Sequence, residues 1–190
     1  SLNKMTVVVK DNGFGIKNVI IDEPKTYNSL SFKTLNILID VFKRLERDNK
    51  TRVIILSGNG KGFSAGHNLK EVKNLKVRSK YLKLFNLCSK LMLNIVEGRK
   101  PVIAKVHGSA FAAGCQLVAS CDLAIASNNS YFQTPGVNIG LFCSTPMVAI
   151  SRKVQAKDMM YMLLSGEKIT AKEAKNFKLL NKVVSKSVLN

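Results

Sequence analysis

The chain reads as an α/β fold, and three features of the sequence predict it. Short apolar runs suited to buried strands recur along it: "RVIILS" (52–57), "PVIAKV" (101–106) and "DLAIAS" (122–127). The first two lead into loops rich in glycine or alanine, and segments of helical periodicity follow those loops. Strand, small-residue loop and helix repeated in that order are the mark of layered α/β architectures.

The elements can be justified in turn. "MTVVVKDNGFGIKNVIID" predicts a hairpin, two β-rich runs about the turn signal Asp11-Asn12-Gly13. After the turn-rich "EPKTYNSLS", Ser31 is a suitable N-cap. Beyond it, Phe32, Leu35, Leu38, Phe42 and Leu45 fall at helical spacing, with Lys43, Arg44, Arg47 and Lys50 on another face. This is an amphipathic helix expected to lie on a sheet. Strand 52–57 opens into the long loop "SGNGKGFSAGHNLKE" (57–71), and Val77, Tyr81, Phe85, Cys88, Met92 and Ile95 trace a second helix. Strand 101–106 runs into "GSAFAAGCQLVAS" (108–120), read as a turn into a short helix that starts near Gly114. Past strand 122–127 and "YFQTPGVNIGLF", helical pattern returns in "MVAISRKV" and "AKDMMYMLLSG". No linker or low-complexity segment interrupts the chain, so residues 1–190 are expected to form a single domain.

Composition narrows the function classes. Hydrophobic residues at 46% and charged residues at 22% are globular values that argue against disorder. No apolar run approaches the ~18 residues that span a bilayer, and no signal-peptide pattern is visible at the start. Because the sequence opens on Ser1, a targeting segment upstream stays open. Cys88, Cys115, Cys121 and Cys143 form no CxxC pair and are expected to be reduced core residues of an intracellular protein, with no metal site. The net charge of +18 invites a nucleic-acid reading. Most of the cations are lysines, however, whereas arginine is the residue suited to bidentate phosphate contacts.

Two loops could carry chemistry. In the first, Lys61 is followed by Gly62 and not by Ser or Thr, so the Walker pattern fails. Gly58, Gly60 and Gly62 also miss the spacing of a dinucleotide turn. In the second, Ala110, Ala112, Ala113 and Gly114 let a ligand approach the main chain, and a helix start supplies unpaired N–H groups. Such a corner can hold an oxygen that gains negative charge, although tight packing of helix on sheet also calls for small residues. The two loops leave consecutive strand ends and can aim backbone N–H groups at one place.

Three segments, "GKGFSAGHNLKE", "GSAFAAGCQLVASCDLAIAS" and "FQTPGVNIGL", in this order and at these separations, resemble the signature segments of the enoyl-CoA hydratase/isomerase superfamily, and the resemblance runs through essentially the whole chain. "AAGCQLVASCDLAIAS" and "TPGVNIGLFCSTP" are similar to a mitochondrial, domain-containing branch of it. The resemblance implies the crotonase fold, a spiral of ββα units with flanking helices, here lacking the C-terminal helical region of other members. It implies an acyl-CoA or enoyl-CoA ligand, with coenzyme A entering as part of the thioester and no tightly bound cofactor. It further implies lyase or isomerase chemistry in fatty acid metabolism, a homotrimer or dimer of trimers at full length, and a mitochondrial setting. Matched motif by motif, the backbone amides of His67 and Ala113 become the donors to the enolate-like oxygen. Ala65, His67, Asn68, Leu69 and Lys70 become the binding edge for the adenine and pantetheine parts of coenzyme A, with Lys25 and Lys61 near its phosphates.

Where hydratases carry two glutamates, this sequence has Gln116 and Gly136. Glutamine exchanges no proton near neutral pH, and glycine offers no side chain. Syn hydration is therefore not expected, and the sequence leaves three readings. One is a superfamily enzyme with another reaction, the second a non-catalytic acyl-CoA binder or regulatory homologue. The third, RNA binding through the basic face of the helix 31–50, ranks last, because no aromatic residues interleave with that face. Nucleic acid is thus not an expected partner. His107 and Asp122 are expected to be structural, and Cys143 and Ser144 to wall the acyl pocket without an evident base.

Overall fold

The computed structural model describes residues 5–189. The first hairpin pairs β1 (Val7–Asp11) with β2 (Ile16–Ile21), Val7 opposite Ile21 and Asp11 opposite Lys17. Its turn is longer than the Asp-Asn-Gly signal suggests, because Gly13, Phe14 and Gly15 all take positive φ. Helix α1 (Phe32–Arg47) starts where Ser31 predicts, with the Ser31 hydroxyl accepting from the Thr34 amide at 3.1 Å. β3 (Val53–Gly58), β4 (Val102–Val106), β6 (Leu123–Ser127) and β9 (Lys182–Val184) continue the sheet in parallel, giving the order β1-β2-β3-β4-β6-β9.

Strand alternation makes this sheet two-faced. Val19, Ile21, Ile54, Leu56, Ala104, Val106, Ala124 and Ala126 point inward and are buried. They meet Leu35, Leu38, Phe42 and Leu45 of α1 and Leu84, Cys88, Leu91 and Ile95 of α3 (Arg78–Val96) in one core. Each fully buried leucine or isoleucine contributes about 1.5–3 kcal/mol of transfer free energy, so the core is ample to hold the loops above it.

A second sheet, not foreseen from the sequence, joins β5 (Ser109–Phe111), β7 (Tyr131–Gln133) and β8 (Ile169–Thr170) in the order β5-β7-β8. Its strands have two or three residues, too few for an alternating pattern to register, and their pairing is long-range. The stretch 108–112, expected to be a turn, is therefore mostly strand. Helix α4 (Ala113–Ser120) follows it directly. A strand in the large sheet, a strand in the small sheet and a helix form the repeating turn of a ββα spiral, as in β4-β5-α4. Helices α5 (Ser144–Ile150), α6 (Ala156–Ser165), α7 (Ala171–Asn176) and α8 (Lys186–Leu189) flank it. A short helix inside the glycine loop, α2 (Leu69–Lys73), also went unforeseen; Asn68 caps it, and its Glu71 carboxylate accepts from the Phe32 amide at 3.1 Å.

Candidate functional site

The first loop is pinned by a segment that sequence reading treated only as a turn. Asn28 is fully buried in a left-handed conformation, and its Nδ2 donates to the carbonyls of Asn59 and Gly62, both at 2.8 Å. Its Oδ1 accepts from the Glu23 amide at 2.9 Å. Ser64 Oγ donates to the Asn28 carbonyl and accepts from the Gly66 amide. The Ala65 amide donates to the Tyr27 carbonyl and the Leu30 amide to the Gly66 carbonyl. Residues 27–30 thus run alongside residues 62–66 and fix the course of the chain into His67. The signal available in the sequence was an asparagine in a turn-rich stretch, a residue able to adopt positive φ and to satisfy several backbone groups at once.

The second loop closes on the first. Ser64 and Ala110 form an isolated parallel bridge, and the Phe111 amide donates to the Ser64 carbonyl at 2.9 Å. A Cβ on Gly114 would run into that carbonyl, and a Cβ on Gly66 would stand 2.9 Å from the Ala113 nitrogen. Only glycine permits backbones this close. Ala112 takes φ 48° and ψ −118°, a costly conformation for a residue with a Cβ, and its carbonyl accepts from the Gln116 amide. The strained turn sits at the corner where the two loops meet. Among the described residues, neither the His67 amide nor the Ala113 amide donates to a protein acceptor.

The side chains nearby are turned to other tasks. The His67 imidazole lies edge-on to Phe85 with ring centroids 5.3 Å apart, and its Nδ1 is 3.4 Å from the Leu30 carbonyl. A carbonyl only accepts, so Nδ1 carries the hydrogen and the buried Nε2, which has no partner, is the bare nitrogen. Desolvation holds the imidazole pKa below its ordinary value. Gln116 is buried between α3 and α4, its Oε1 4.0 Å from Cys88 Sγ. With Ala119 and Ser120 it lines a cleft of about 330 Å³ that Met92, Leu93 and Val148 also wall. At Gly136, the missing side chain leaves no room: a Cβ would meet the Leu141 carbonyl at 2.7 Å and Cys143 Sγ at 2.9 Å. Burial pushes the thiol pKa of Cys88 and Cys115 up to about 12, and those of Cys121 and Cys143 upward as well. None of the four is an activated nucleophile. Asp122 and His107 act structurally, Asp122 accepting from the Val102 amide at 2.7 Å and His107 Nε2 lying 2.8 Å from the Gly60 carbonyl.

Comparison with known proteins agrees with this fold. The family profile described as Enoyl-CoA hydratase/isomerase matches residues 11–190. The chain belongs to the enoyl-CoA hydratase/isomerase family. It is 48% identical over 175 residues to the Homo sapiens protein named enoyl-CoA hydratase domain-containing protein 3, mitochondrial, covering 92% of this chain and 58% of that one. The Pongo abelii mitochondrial enoyl-CoA hydratase is 32% identical over 179 residues, covering 92% and 59%. Among solved structures, an enoyl-CoA hydratase from Mycobacterium smegmatis superposes with a TM-score of 0.96 at 42% identity, covering 98% of this chain and 72% of that one. The human domain-containing protein 3 superposes at 0.93 with 45% identity, covering 97% and 73%. The chain therefore has the crotonase fold, and it spans less than two thirds of the length of these curated relatives.

Within this enoyl-CoA hydratase/isomerase chain, the turn that carries Lys25 meets the loop that carries Lys61 and Ala65. Lys25 lies in the turn Pro24–Thr26, and Pro24 packs against Gly60, the neighbour of Lys61. Lys25, Lys61 and Lys70 are exposed. Ala65 is held through its amide, Leu69 is 69% exposed, and Asn68 is engaged in capping α2, its Oδ1 accepting from the amides of Lys70 and Glu71.

Proposed function

We propose that this chain binds an acyl-CoA thioester and stabilises its enolate oxygen with the backbone amides of His67 and Ala113, in a reaction other than hydration of an enoyl-CoA. The observation that carries the reading is the approach of Gly66 to the Ala113 nitrogen, with both amides unused by the protein. Two fixed N–H donors that converge where charge develops need no reorganisation, and losing one oxyanion donor costs roughly 2.7–4 kcal/mol in an enzyme where it has been tested. Gln116 can orient a carbonyl or a water but supplies no proton, and Cys143 and a backbone carbonyl fill the space beside Gly136.

Gln116, Ala119 and Ser120 lie at i, i+3 and i+4 on α4 and line the cleft, and Ala113 precedes Gln116 by three residues on the same helix face. From residue 113 to residue 120 the helix rises roughly 10 Å, which suits an acyl tail of medium length. Lys25 and Lys61 are assigned to the coenzyme A phosphates as point charges, and Ala65, His67, Asn68, Leu69 and Lys70 to its adenine and pantetheine. For the whole protein, the relatives' names support a mitochondrial setting, and family kinship supports a trimer.

Calorimetry tests the reading. A thioester should bind more tightly than free coenzyme A, and Ala113→Pro, which lacks the N–H, should erase that difference; because its ring must fit against Gly66, retained binding of free coenzyme A by the same variant is the check that the fold persists. Absence of binding by every acyl-CoA and by free coenzyme A would end it. A second reading, a binder without turnover, draws on the filled space at Gly136. Turnover of crotonyl-CoA clearly above background, lost in Ala113→Pro, rules that reading out.

A further inference from the structure

The outer face of the large sheet carries a second feature, unrelated to the thioester reading. Val8, Ile20, Ser57 and Lys105 follow one another across four strands in register, and Lys10 and Asn18 pair in the next row. Since their neighbours in sequence point into the core, these side chains face away from α1 and α3. α8 supplies Lys186 and Leu189 as one wall, and Asn59, Gly60 and His107 form the end. Together they enclose a cleft of about 450 Å³.

The charges in this cleft are unbalanced. Among the described residues that line it, Lys10, Lys105 and Lys186 stand against one carboxylate, that of Asp22, which already accepts from Asn59 Nδ2 at 2.8 Å. Lys105 is only partly exposed, and no carboxylate of the described residues forms a salt bridge with it. Three cations lining one cleft repel one another, and an anion bound among them would relieve that repulsion. The remaining polar groups suit an anion too. Ser57 Oγ donates to Asn18 Oδ1 at 3.0 Å, which leaves the Asn18 amide nitrogen free to donate. His107 Nε2 carries the hydrogen that meets the Gly60 carbonyl at 2.8 Å, so the ring shapes the end of the cleft and is not one of its anion donors. The backbone amides of Asn59 and Gly60 are spent on the Ile21 carbonyl and the Asn59 side chain, so recognition falls to side-chain cations.

We infer that this cleft is a binding site for a compact multivalent anion, a phosphorylated or pyrophosphate-bearing small molecule, separate from the thioester site. Neither Lys25 nor Lys61 lines it. Its end wall is the stretch 58–60, whose continuation through Gly62 and Ser64 forms the first loop of the thioester site, so an occupant stiffens the back of that loop.

Inorganic pyrophosphate is the probe, titrated into the folded chain at moderate salt and followed by calorimetry and amide chemical shifts. Saturable one-to-one binding is expected, with shifts centred on Ser57, Asn59 and His107. Lys105→Met, which keeps most of the aliphatic stem, and the exposed substitution Lys10→Gln should each weaken it about tenfold. Lys43→Gln with Arg47→Gln, on the basic face of α1, should leave it unchanged. Equal loss in the α1 variant would mean general attraction to a basic surface and would overturn the site. So would loss only in Lys25→Gln and Lys61→Gln, which would put the anion at the coenzyme A edge, or the absence of binding. Failure here leaves the thioester affinity measurement untouched.

Discussion

The carbonyl of Ser64 occupies the space that a Cβ on Gly114 would take. One loop of the candidate site thus rests on the first turn of α4 backbone to backbone, and the same carbonyl also accepts from the Phe111 amide. Gly114→Ala forces the loops apart, since the atom it meets is main chain. Unfolding in urea should show a loss of about 3 kcal/mol or more, and acyl-CoA affinity should fall with it.

Asn28 ties three backbone groups with one side chain. Removing it strands the buried carbonyl of Gly62, the partly buried carbonyl of Asn59 and the amide of Glu23. Asn28→Ala should cost about 2–4 kcal/mol in the denaturant midpoint comparison. Asn28→Asp should be at least as harmful, because it sets a carboxylate against two carbonyls.

Ala112 offers a substitution in the opposite direction. Its φ of 48° is relieved by glycine, and the gain outweighs the added freedom of the unfolded chain. Ala112→Gly should raise stability by about 1 kcal/mol, read as a higher melting temperature, with the bound thioester unaffected.

Restoring the second glutamate alone should fail. A side chain at 136 meets the Leu141 carbonyl and Cys143 Sγ, so Gly136→Glu should destabilise by about 1–3 kcal/mol. Cys143→Ala in the same chain should recover part of that loss. Hydration of crotonyl-CoA should emerge, if at all, only when Gln116→Glu joins both changes; activity in Gly136→Glu alone would contradict the packing argument.

His67 gives stability a defined pH dependence. Desolvation lowers its folded pKa, so between that value and the ordinary one the unfolded chain holds more protons. The stabilisation from keeping the ring neutral is complete above about pH 6.5 and is lost as pH falls toward the folded value. Urea titrations from pH 7.5 to pH 5 should show this decline, and His67→Phe should flatten it.

Much of this was legible in the sequence because the relevant signals are local. Ser31 announced α1, the runs at 52–57, 101–106 and 122–127 announced central strands, and the small residues around Ala113 announced a close backbone approach. Where the sequence was mute, the determinants were distant partners. β5 and β7 are three-residue strands defined by each other, and α2 depends on Asn68 for its cap and is tied to α1 by Glu71. The role of Asn28 rests on carbonyls more than thirty residues away. The crowding at Gly136 comes from Cys143 and Leu141, which curl back after the turn at residues 135–139.

The way Asn28, Ser64, Ala110 and Gly114 interlock has a consequence for how the protein comes into being. A nascent chain emerging at about 5–20 residues per second presents His67 well before residue 114 leaves the ribosome, with residues 27–30 already made and able to hold the loop that leads to it. The two halves of the candidate site are thus acquired one after the other, the loop into His67 first and the turn at Ala113 second.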